Sequence, residues 1–181
     1  QADCMLGWNN SFRYKNFALI FQIDGRLGGD IYSYTNYALQ IAGRAECTAP
    51  GGMRENFVVD GVIAQQDGTY APSTIKVSQQ DYWQAIGTGN TGIGEANIYD
   101  ATNIRLRNIA LNYSFPSSML KKTIFQQLKL GFSVNNVWMI YSDMNGIDPE
   151  AVFITNTNAT GFENCASPTS RSYLFNVTLG F

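Results

Sequence analysis

Residues 100–116, DATNIRLRNIALNYSFP, show the clearest alternation of apolar and polar side chains in the chain. Side chains of a strand point to opposite faces in turn, so one face of this segment is apolar and the other is small, amide-rich and uncharged. Lipid outside, a wet interior and aromatics at the interface produce this pattern in a transmembrane barrel strand. A half-buried strand of a soluble protein is the alternative. The apolar face consists of Ile109, Leu111, Tyr113 and Phe115, and the polar face of Asn108, Ala110, Asn112 and Ser114.

Similar alternation predicts five antiparallel strands, near 6–14, 17–27, 98–115, 125–138 and 171–181. Lys15-Asn16 separates the first two runs, and a two-residue polar connection of this kind predicts a β-hairpin. The connections are alternately short and long, and the long ones cover 28–97 and 139–170. Outer-membrane barrels arrange short periplasmic turns and long extracellular loops in this way. Within the first loop, the pattern predicts one helix capped by Asp30 and continuing to Ile41, and a second near Gln79 to Ile86.

Parity within each strand also predicts which side chains face lipid and which face the barrel interior. A slip of one residue would invert every assignment in a strand, so the two groups form a strict test of the alignment. The predicted lipid-facing residues are Leu19, Phe21, Ile109, Leu111, Phe132, Val134, Phe175, Val177 and Leu179. The predicted interior-facing residues are Asn9, Ser11, Gln22, Asn112, Ser133, Asn176 and Thr178.

Composition narrows the function classes. The 181 residues carry 12 Lys and Arg against 14 Asp and Glu, and this net charge of −2 predicts no nucleic-acid partner. Charged residues make up 14%, well below the usual quarter, while aromatics reach 13%. The sequence has no apolar run long enough for a transmembrane helix, and residues 1–10 do not resemble a signal peptide. With 0 His, the commonest general base and metal ligand is missing, so we predict neither an enzyme nor a cofactor.

Several segments, in order, resemble SusC/RagA-type TonB-dependent outer-membrane receptors. The segment at 100–116 resembles their "DASYLRLKNVTLGYTLP"-like strand, and LGWNNSFRYKNFALIFQIDGRLGGDIY resembles their "GFNNTFSYKNFDLSFFFQGSFGNDIY"-like hairpin. VNNVWMIYSDMNGIDPE is similar to "GQNLFTWTKYKGYDPE"-like segments, although Asn136-Val137-Trp138 and Ile147 depart from the commonest form. VSQQDYWQ and the final SRSYLFNVTLGF match in kind. The resemblance covers nearly the whole chain.

The resemblance implies that residues 1–181 are the C-terminal part of a plugged barrel of about 22 strands. We expect the plug domain, the TonB-contacting segment and most of the barrel to lie outside these residues, because five strands would leave open edges that a membrane does not tolerate. The implied function is import of oligosaccharides or peptides across the bacterial outer membrane. The implied partners are a SusD-like lipoprotein lid, the rest of the receptor, TonB and outer-membrane lipid. The alternative function is a secreted, non-enzymatic β-sandwich for binding or adhesion, with its aromatic faces packed in a core.

Candidate binding residues are the aromatics of the first long loop, whose rings could stack on a sugar or peptide or contact the lid. The alternative is that they pack the loop against the barrel mouth. All three cysteines fall on the predicted extracellular side, where Cys47 and Cys165 could join the two loops. Free thiols, or a bond from Cys4 to another part of the receptor, are the alternatives. The aromatics are Tyr32, Tyr34, Tyr37, Tyr82 and Trp83.

Three further features have competing interpretations. Asp143, Asp148 and Glu150 could form an acidic calcium loop, but they lack EF-hand spacing and a structural turn is favoured. Arg105 and Arg107 share parity with the lipid-facing residues, so they either meet lipid phosphates or lie at a β-bulge that breaks the parity. Phe181 is predicted to act as an aromatic assembly signal of the kind that the resemblance implies, with its ring at the periplasmic interface.

Overall fold

The computed structural model describes residues 2–87, 92–144, 146–152 and 161–181. In this part of the chain, the secondary structure is mainly short and long strands, with three α-helices of eight residues or fewer and three 3-10 helices, at Glu46–Thr48, Pro50–Gly52 and Gly94–Asn97. The helices are α1 (Tyr34–Ile41), α2 (Gln79–Ile86) and α3 (Ser117–Leu120). The strands are β1 (Cys4–Tyr14), β2 (Phe17–Leu27), β3 (Asp30–Ser33), β4 (Phe57–Val58), β5 (Val62–Ala64), β6 (Tyr70–Pro72), β7 (Lys76–Val77), β8 (Ile98–Asp100), β9 (Asn103–Ser114), β10 (Gln127–Ser142), β11 (Phe162–Glu163) and β12 (Ser172–Gly180).

The five long strands form one antiparallel sheet in the order β1-β2-β9-β10-β12. Residues directly opposite each other in antiparallel strands point to the same face, so the register defines two faces. Every residue predicted to face lipid falls on one of them, which we name the apolar face, and every residue predicted to face the interior falls on the other, the polar face. One row of the apolar face consists of Phe12, Leu19, Leu111, Phe132 and Phe175. The neighbouring row of the polar face consists of Arg13, Ala18, Asn112, Gly131 and Asn176.

No second layer covers the apolar face among the described residues. Phe175 is 81% exposed, Phe12 56% and Leu111 46%. A β-sandwich would bury these rings and methyl groups between two sheets about 10 Å apart. The structure therefore does not favour the alternative of a sandwich with its aromatic faces packed in a core.

A β-bulge interrupts the alternation at Arg107. Gln22 lies opposite Asn108, whereas the next residue of β2, Ile23, lies opposite Leu106, so Arg107 is the extra residue of β9. Beyond the bulge the parity is reversed, and Arg105 lies opposite Asp24 on the polar face. The interpretation of Arg105 and Arg107 as ligands of lipid phosphates is therefore wrong, and the bulge alternative is confirmed.

A smaller sheet joins the two long loops above the five strands. In it, β3 pairs with β8 in antiparallel and with β11 in parallel orientation. The single strand expected over 98–115 is divided into β8 and β9, which belong to different sheets. Helix α1 begins after β3, with Ser33 rather than Asp30 as its N-cap, because residues 30–33 are in the small sheet. Helix α2 has the predicted bounds.

A small apolar core lies beside this sheet. Ile31 of β3 and Ala101, which directly follows β8, pack with Met144 of the second loop, and all three are buried. Tyr99, Ile147 and Val152 pack around them. Within the described residues, no helix has the length and apolar character needed to cross a membrane.

Candidate functional site at the loop end of the sheet

Arg107 is the centre of an ion-pair cluster on the polar face. Its Nη1 and Nη2 atoms lie 2.8 and 2.6 Å from the two carboxylate oxygens of Glu150, which is a bidentate arrangement. Its Nε atom donates to Asp24 of β2 at 2.8 Å. The bulge makes this possible, because it turns the guanidinium group away from the apolar face and toward both carboxylates.

Arg105 makes a second set of contacts and is almost completely buried. Its Nη2 atom lies 2.5 Å from Asp148, and its Nη1 atom donates to the Thr169 hydroxyl group at 2.6 Å. Thr169 in turn donates to Asp148 through its amide at 2.9 Å and through its hydroxyl at 2.5 Å. Burial works against ionisation of Asp148, but these hydrogen bonds from Thr169, the Glu150 amide and Arg105 together lower its pKa.

The two arginines therefore bind the Asp148–Glu150 turn of the second loop to the polar face of the sheet. Pro149, between the two acids, is fully buried, so apolar packing accompanies the charge pairing. The carboxylates face guanidinium groups, and among the described residues no group of acids and cysteines has an arrangement that could hold a metal ion. The structural turn, rather than a calcium loop, is what the arrangement supports.

Glu163 connects the loops at a second point. It is 1% exposed, and its carboxylate accepts hydrogen bonds from the Ser33 hydroxyl at 2.9 Å and the Thr35 hydroxyl at 2.6 Å. The Thr35 amide also donates to it at 3.1 Å. The carboxylate thus lies beside the first turn of α1, where the helix dipole favours negative charge. The N-cap Ser33 accepts from the Asn36 amide at 3.2 Å, so one side chain caps the helix and binds the second loop.

The predicted binding aromatics lie in the first loop and form two groups. Tyr34 and Tyr37 stack with ring centroids 5.1 Å apart, and the Tyr37 hydroxyl donates to the carbonyl oxygen of Gly87 at 2.6 Å. Tyr82 contacts Trp83 edge to face at 5.2 Å, and it contacts Phe57 at 5.1 Å. Tyr37 and Tyr82 are therefore engaged in packing the loop on itself, whereas Tyr34 is exposed.

Trp83 borders two cavities beside the helices. One, of about 510 Å³, is lined by Met53, Phe57 and Tyr82, and is mostly apolar. The other, of about 240 Å³, lies between α1 and α2 and includes Gln40, Gln79 and Arg54. Amide and guanidinium groups beside an indole ring can bind hydroxyl or peptide groups of a ligand. Tyr32 lies apart from these cavities and packs on Phe162 with centroids 5.9 Å apart.

The remaining predicted residues lie in different places. Cys4, Cys47 and Cys165 are free and exposed, so the bond between Cys47 and Cys165 stays a prediction. Phe181 lies at the opposite end of the sheet, beside the short connections, with its ring 5.3 Å from that of Phe125. The Asn- and Thr-rich tract of the second loop falls at 153–160, outside the described residues.

In this region, the sequence indicated the two arginines but not the carboxylates that bind them. The two arginines attracted attention because charge on the apolar parity is anomalous, but nothing in the alternation pairs them with residues 43 positions away. Glu163 carries no sequence signal at all, because its role depends on the parallel pairing of β11 with β3.

Comparisons with known proteins point in one direction. No family model matches the chain. TonB-dependent receptor P3 of Formosa agariphila is 27% identical over 99% of this chain, and TonB-dependent receptor P39 of the same organism is 28% identical over 99%. The chain spans only 16% of the length of each of these relatives.

Solved structures with this fold include the RagAB peptide importer in its open-open state, with a TM-score of 0.63 and 15% identity over 98% of this chain. The closed-closed state of the same importer gives a TM-score of 0.59 with 16% identity over 96% of this chain. In both cases the chain corresponds to 17% of the solved chain. The similarity in sequence and the similarity in fold confirm the resemblance seen in the ordered segments: the chain is similar to TonB-dependent receptors over 99% of its length, and it has the fold of part of the RagAB importer.

Proposed function

We propose that this chain forms part of the wall of an outer-membrane, TonB-dependent transporter that imports oligosaccharides or peptides with a SusD-like surface lipoprotein. The observation that carries the proposal is the five-stranded sheet, which has one polar face and one apolar face that no second layer of the described residues covers. A lipid environment stabilises such a face without a second protein layer, and closure into a barrel would satisfy the two open sheet edges in lipid. The sequence similarity to TonB-dependent receptors and the fold shared with a peptide importer support the same conclusion.

Within this proposal, the ends of the sheet have different roles. The short connections face the periplasm, and the two long loops form part of the extracellular mouth beneath the lipoprotein lid. The Asp148–Glu150 turn lies on the lumen side, since its arginine partners are on the polar face. Tyr34 and the cavities beside Trp83 are the loop surfaces available to the lid or to a substrate.

The experiment that tests the proposal uses the full-length receptor. We expect it to fractionate with outer membranes, to need detergent for extraction and to show heat-modifiable migration on gels. We also expect cells that lack it to lose uptake of one class of oligosaccharide or peptide. A receptor that stays in the aqueous phase as a folded monomer would contradict the proposal.

Cells that lack the receptor also allow the two substrate classes to be distinguished. Growth on purified glycans and on defined peptide mixtures, with and without the receptor, separates the two possibilities. RagAB is a peptide importer, which makes peptides the first class to test.

A further inference from the structure

Charge is unequally distributed between the two ends of the sheet. Segments 10–21, 108–135 and 172–181 include the short connections and the adjoining parts of the long strands, and they contain no Asp or Glu. All 14 acidic residues lie outside these segments. The end of the sheet with the short connections is therefore cationic. Its basic residues are Arg13, Lys15, Lys121, Lys122 and Lys129.

Three of these cations are in the connections themselves. Arg13 and Lys129 are on the polar face, whereas Lys15 is in the turn between β1 and β2, and Lys121 and Lys122 are in the connection between β9 and β10. All three connection lysines are exposed. Because β2 and β9 are neighbours, the two connections are about 10 Å apart along the end of the sheet. Adjacent headgroups of one bilayer leaflet can therefore contact both connections.

Lys15 lies on the side of the apolar face. Its Nζ atom is 5.3 Å from the centroid of the Tyr14 ring. Tyr14 is exposed and belongs to one row of the apolar face together with Phe17 and Tyr113, whose rings are 4.6 Å apart. Aromatic rings at the end of an apolar face are typical of the depth at which membrane hydrocarbon meets the headgroups. In the proposed barrel, the Lys15 ammonium group is therefore at headgroup depth, with its methylene chain beside a ring.

The connection between β9 and β10 exposes apolar side chains beside its two lysines. Leu120 is buried at the end of the sheet, whereas Met119 is 60% and Ile124 76% exposed. Backbone hydrogen bonds fix this arrangement, since the Thr123 amide donates to the Leu120 carbonyl at 2.8 Å and the Met119 amide donates to the Pro116 carbonyl at 3.0 Å. Exposed apolar groups beside cations are unfavourable in water but are accommodated where acyl chains meet headgroups.

The three lysines have no carboxylate partner among the described residues. Every ion pair in that part of the chain is made by Arg105 or Arg107, at the loop end of the sheet. Cations of like sign repel one another, and an anion between them relieves the repulsion. The connections therefore fit an anionic partner that also has an apolar part.

We propose that Lys15, Lys121 and Lys122 bind the phosphate group of an anionic phospholipid, while Met119 and Ile124 contact the part of its acyl chains next to the headgroup. The occupant is a bilayer lipid rather than a soluble anion, because exposed apolar side chains accompany the cations. The inference rests on the proposed function, since it requires the apolar face to be in a bilayer. In the proposed orientation, this lipid belongs to the periplasmic leaflet.

Native mass spectrometry of the full-length receptor in detergent tests the proposal, with phosphatidylglycerol and zwitterionic phosphatidylcholine added in turn. We expect the wild type to retain phosphatidylglycerol preferentially. Lys121→Gln with Lys122→Gln should weaken its apparent affinity by about fivefold for each lysine removed. Lys121→Arg with Lys122→Arg keeps both charges and should bind as the wild type does. Arg44→Gln with Lys76→Gln, at two exposed positions of the first loop, is the matched control and should leave the affinity unchanged.

A photoreactive phosphatidylglycerol locates the contact. Peptide mass spectrometry should find the label within residues 115–126 at a yield several-fold above that in the hairpin of β5 and β6, which is an exposed part of the first loop. Salt at 1 M should lower the yield within residues 115–126, because the Debye length falls to about 3 Å.

Equal retention of the two lipids, or unchanged affinity after Lys121→Gln with Lys122→Gln, would overturn the lipid site while leaving the barrel proposal intact in a receptor that inserts and migrates normally. Displacement of the lipid by inorganic phosphate at the same concentration would indicate a site for a free anion and would overturn it as well. Failure of the wild type to insert at all would instead contradict the proposed function.

Discussion

In the proposed barrel, substitutions at neighbouring positions of β9 and β12 should distinguish the lipid-facing side from the lumen-facing side. Leu111 and Val177 lie on the apolar face, and Asn112 and Thr178, one residue along, lie on the polar face. Arg in place of either apolar residue should destabilise the receptor by about 2–4 kcal/mol if the position is near the bilayer midplane. Arg at the adjacent polar position should have little effect, because the lumen is wet. Heat-modifiability of the full-length receptor measures the difference, and equal damage within a pair would contradict the face assignment.

The two acids of the cluster should differ in their contribution to stability. Asp148→Asn removes the charge opposite the buried Arg105 and should cost up to about 3 kcal/mol in unfolding free energy of the loop region. Glu150→Gln breaks a pair that is about 30% exposed, so water screens it and the cost should be below about 1 kcal/mol. Amide exchange across residues 143–150 in the inserted receptor measures both, and a larger effect of Glu150→Gln would contradict this order.

The lowered pKa of Asp148 also predicts how pH affects the stability of this loop region. Its pKa is lower in the folded state than in the unfolded chain, so its contribution is present above about pH 4, the unfolded pKa. As the pH falls below that value toward the folded pKa, the contribution is lost. The difference in loop protection between wild type and Asp148→Asn should therefore shrink between pH 5 and pH 3, and a difference that grew would contradict the sign.

At the scale of elements, α1 and α2 meet at a close contact beside Gly87. A Cβ on Gly87 would lie 2.4 Å from Cγ1 of Ile41 and 3.2 Å from the Trp83 carbonyl oxygen. Gly87→Ala should therefore destabilise the packing of the two helices by about 1–3 kcal/mol. Amide exchange in α1 and α2 is the measurement.

Gly94→Ala is the matched control, because an added Cβ there meets nothing within 4 Å. It should leave exchange in both helices unchanged. If the two substitutions behave alike, the close approach of Ile41 to Gly87 is not what holds the helices together.

The elements also show where alternation is informative and where it is not. Period-two patterns predict the wall strands and their faces, because every strand of the sheet has one apolar and one polar environment. The pattern fails at Arg107, since one extra residue reverses the parity of everything toward the loops. The small sheet could not be predicted, because strands of two to four residues are too short for any periodicity, and β11 pairs with β3 across about 130 residues.

For the whole molecule, the prediction that concerns assembly is Phe181. Its ring packs on Phe125 at the end of the sheet with the short connections, and it is 73% exposed. Phe181→Ala removes at most about 2–3 kcal/mol of burial, which a large barrel should survive once inserted. We expect the variant to insert more slowly, with a melting temperature close to that of the wild type once inserted.

The inserted amount of full-length receptor over time, beside the melting temperature of the inserted fraction, separates the two effects. Phe175→Ala, on the same strand and apolar face, is the control for loss of an exposed ring. Normal insertion of Phe181→Ala with a lowered melting temperature would show that the ring serves only for packing.

The candidate site is less predictable than the wall because its chemistry depends on contacts between loops. Sequence reasoning selected Tyr34 and Trp83 from composition alone, and the structure places Trp83 between two cavities. The pairing of the two arginines with their carboxylates depends on register, which alternation does not supply.

The small sheet at the loop end has a kinetic consequence. Its strands β3, β8 and β11 come from three distant parts of the chain, so closing it requires long loops to be ordered first, and contacts of this kind form late. Until β9 and β10 have paired, Arg105 and Arg107 cannot receive the Asp148–Glu150 turn, and β11 has no fixed position from which to reach β3. In the proposed barrel, the loop end should therefore be the last region of this segment to become ordered, after the five long strands have entered the membrane, so that the chain would reach the membrane with both loops still unfolded.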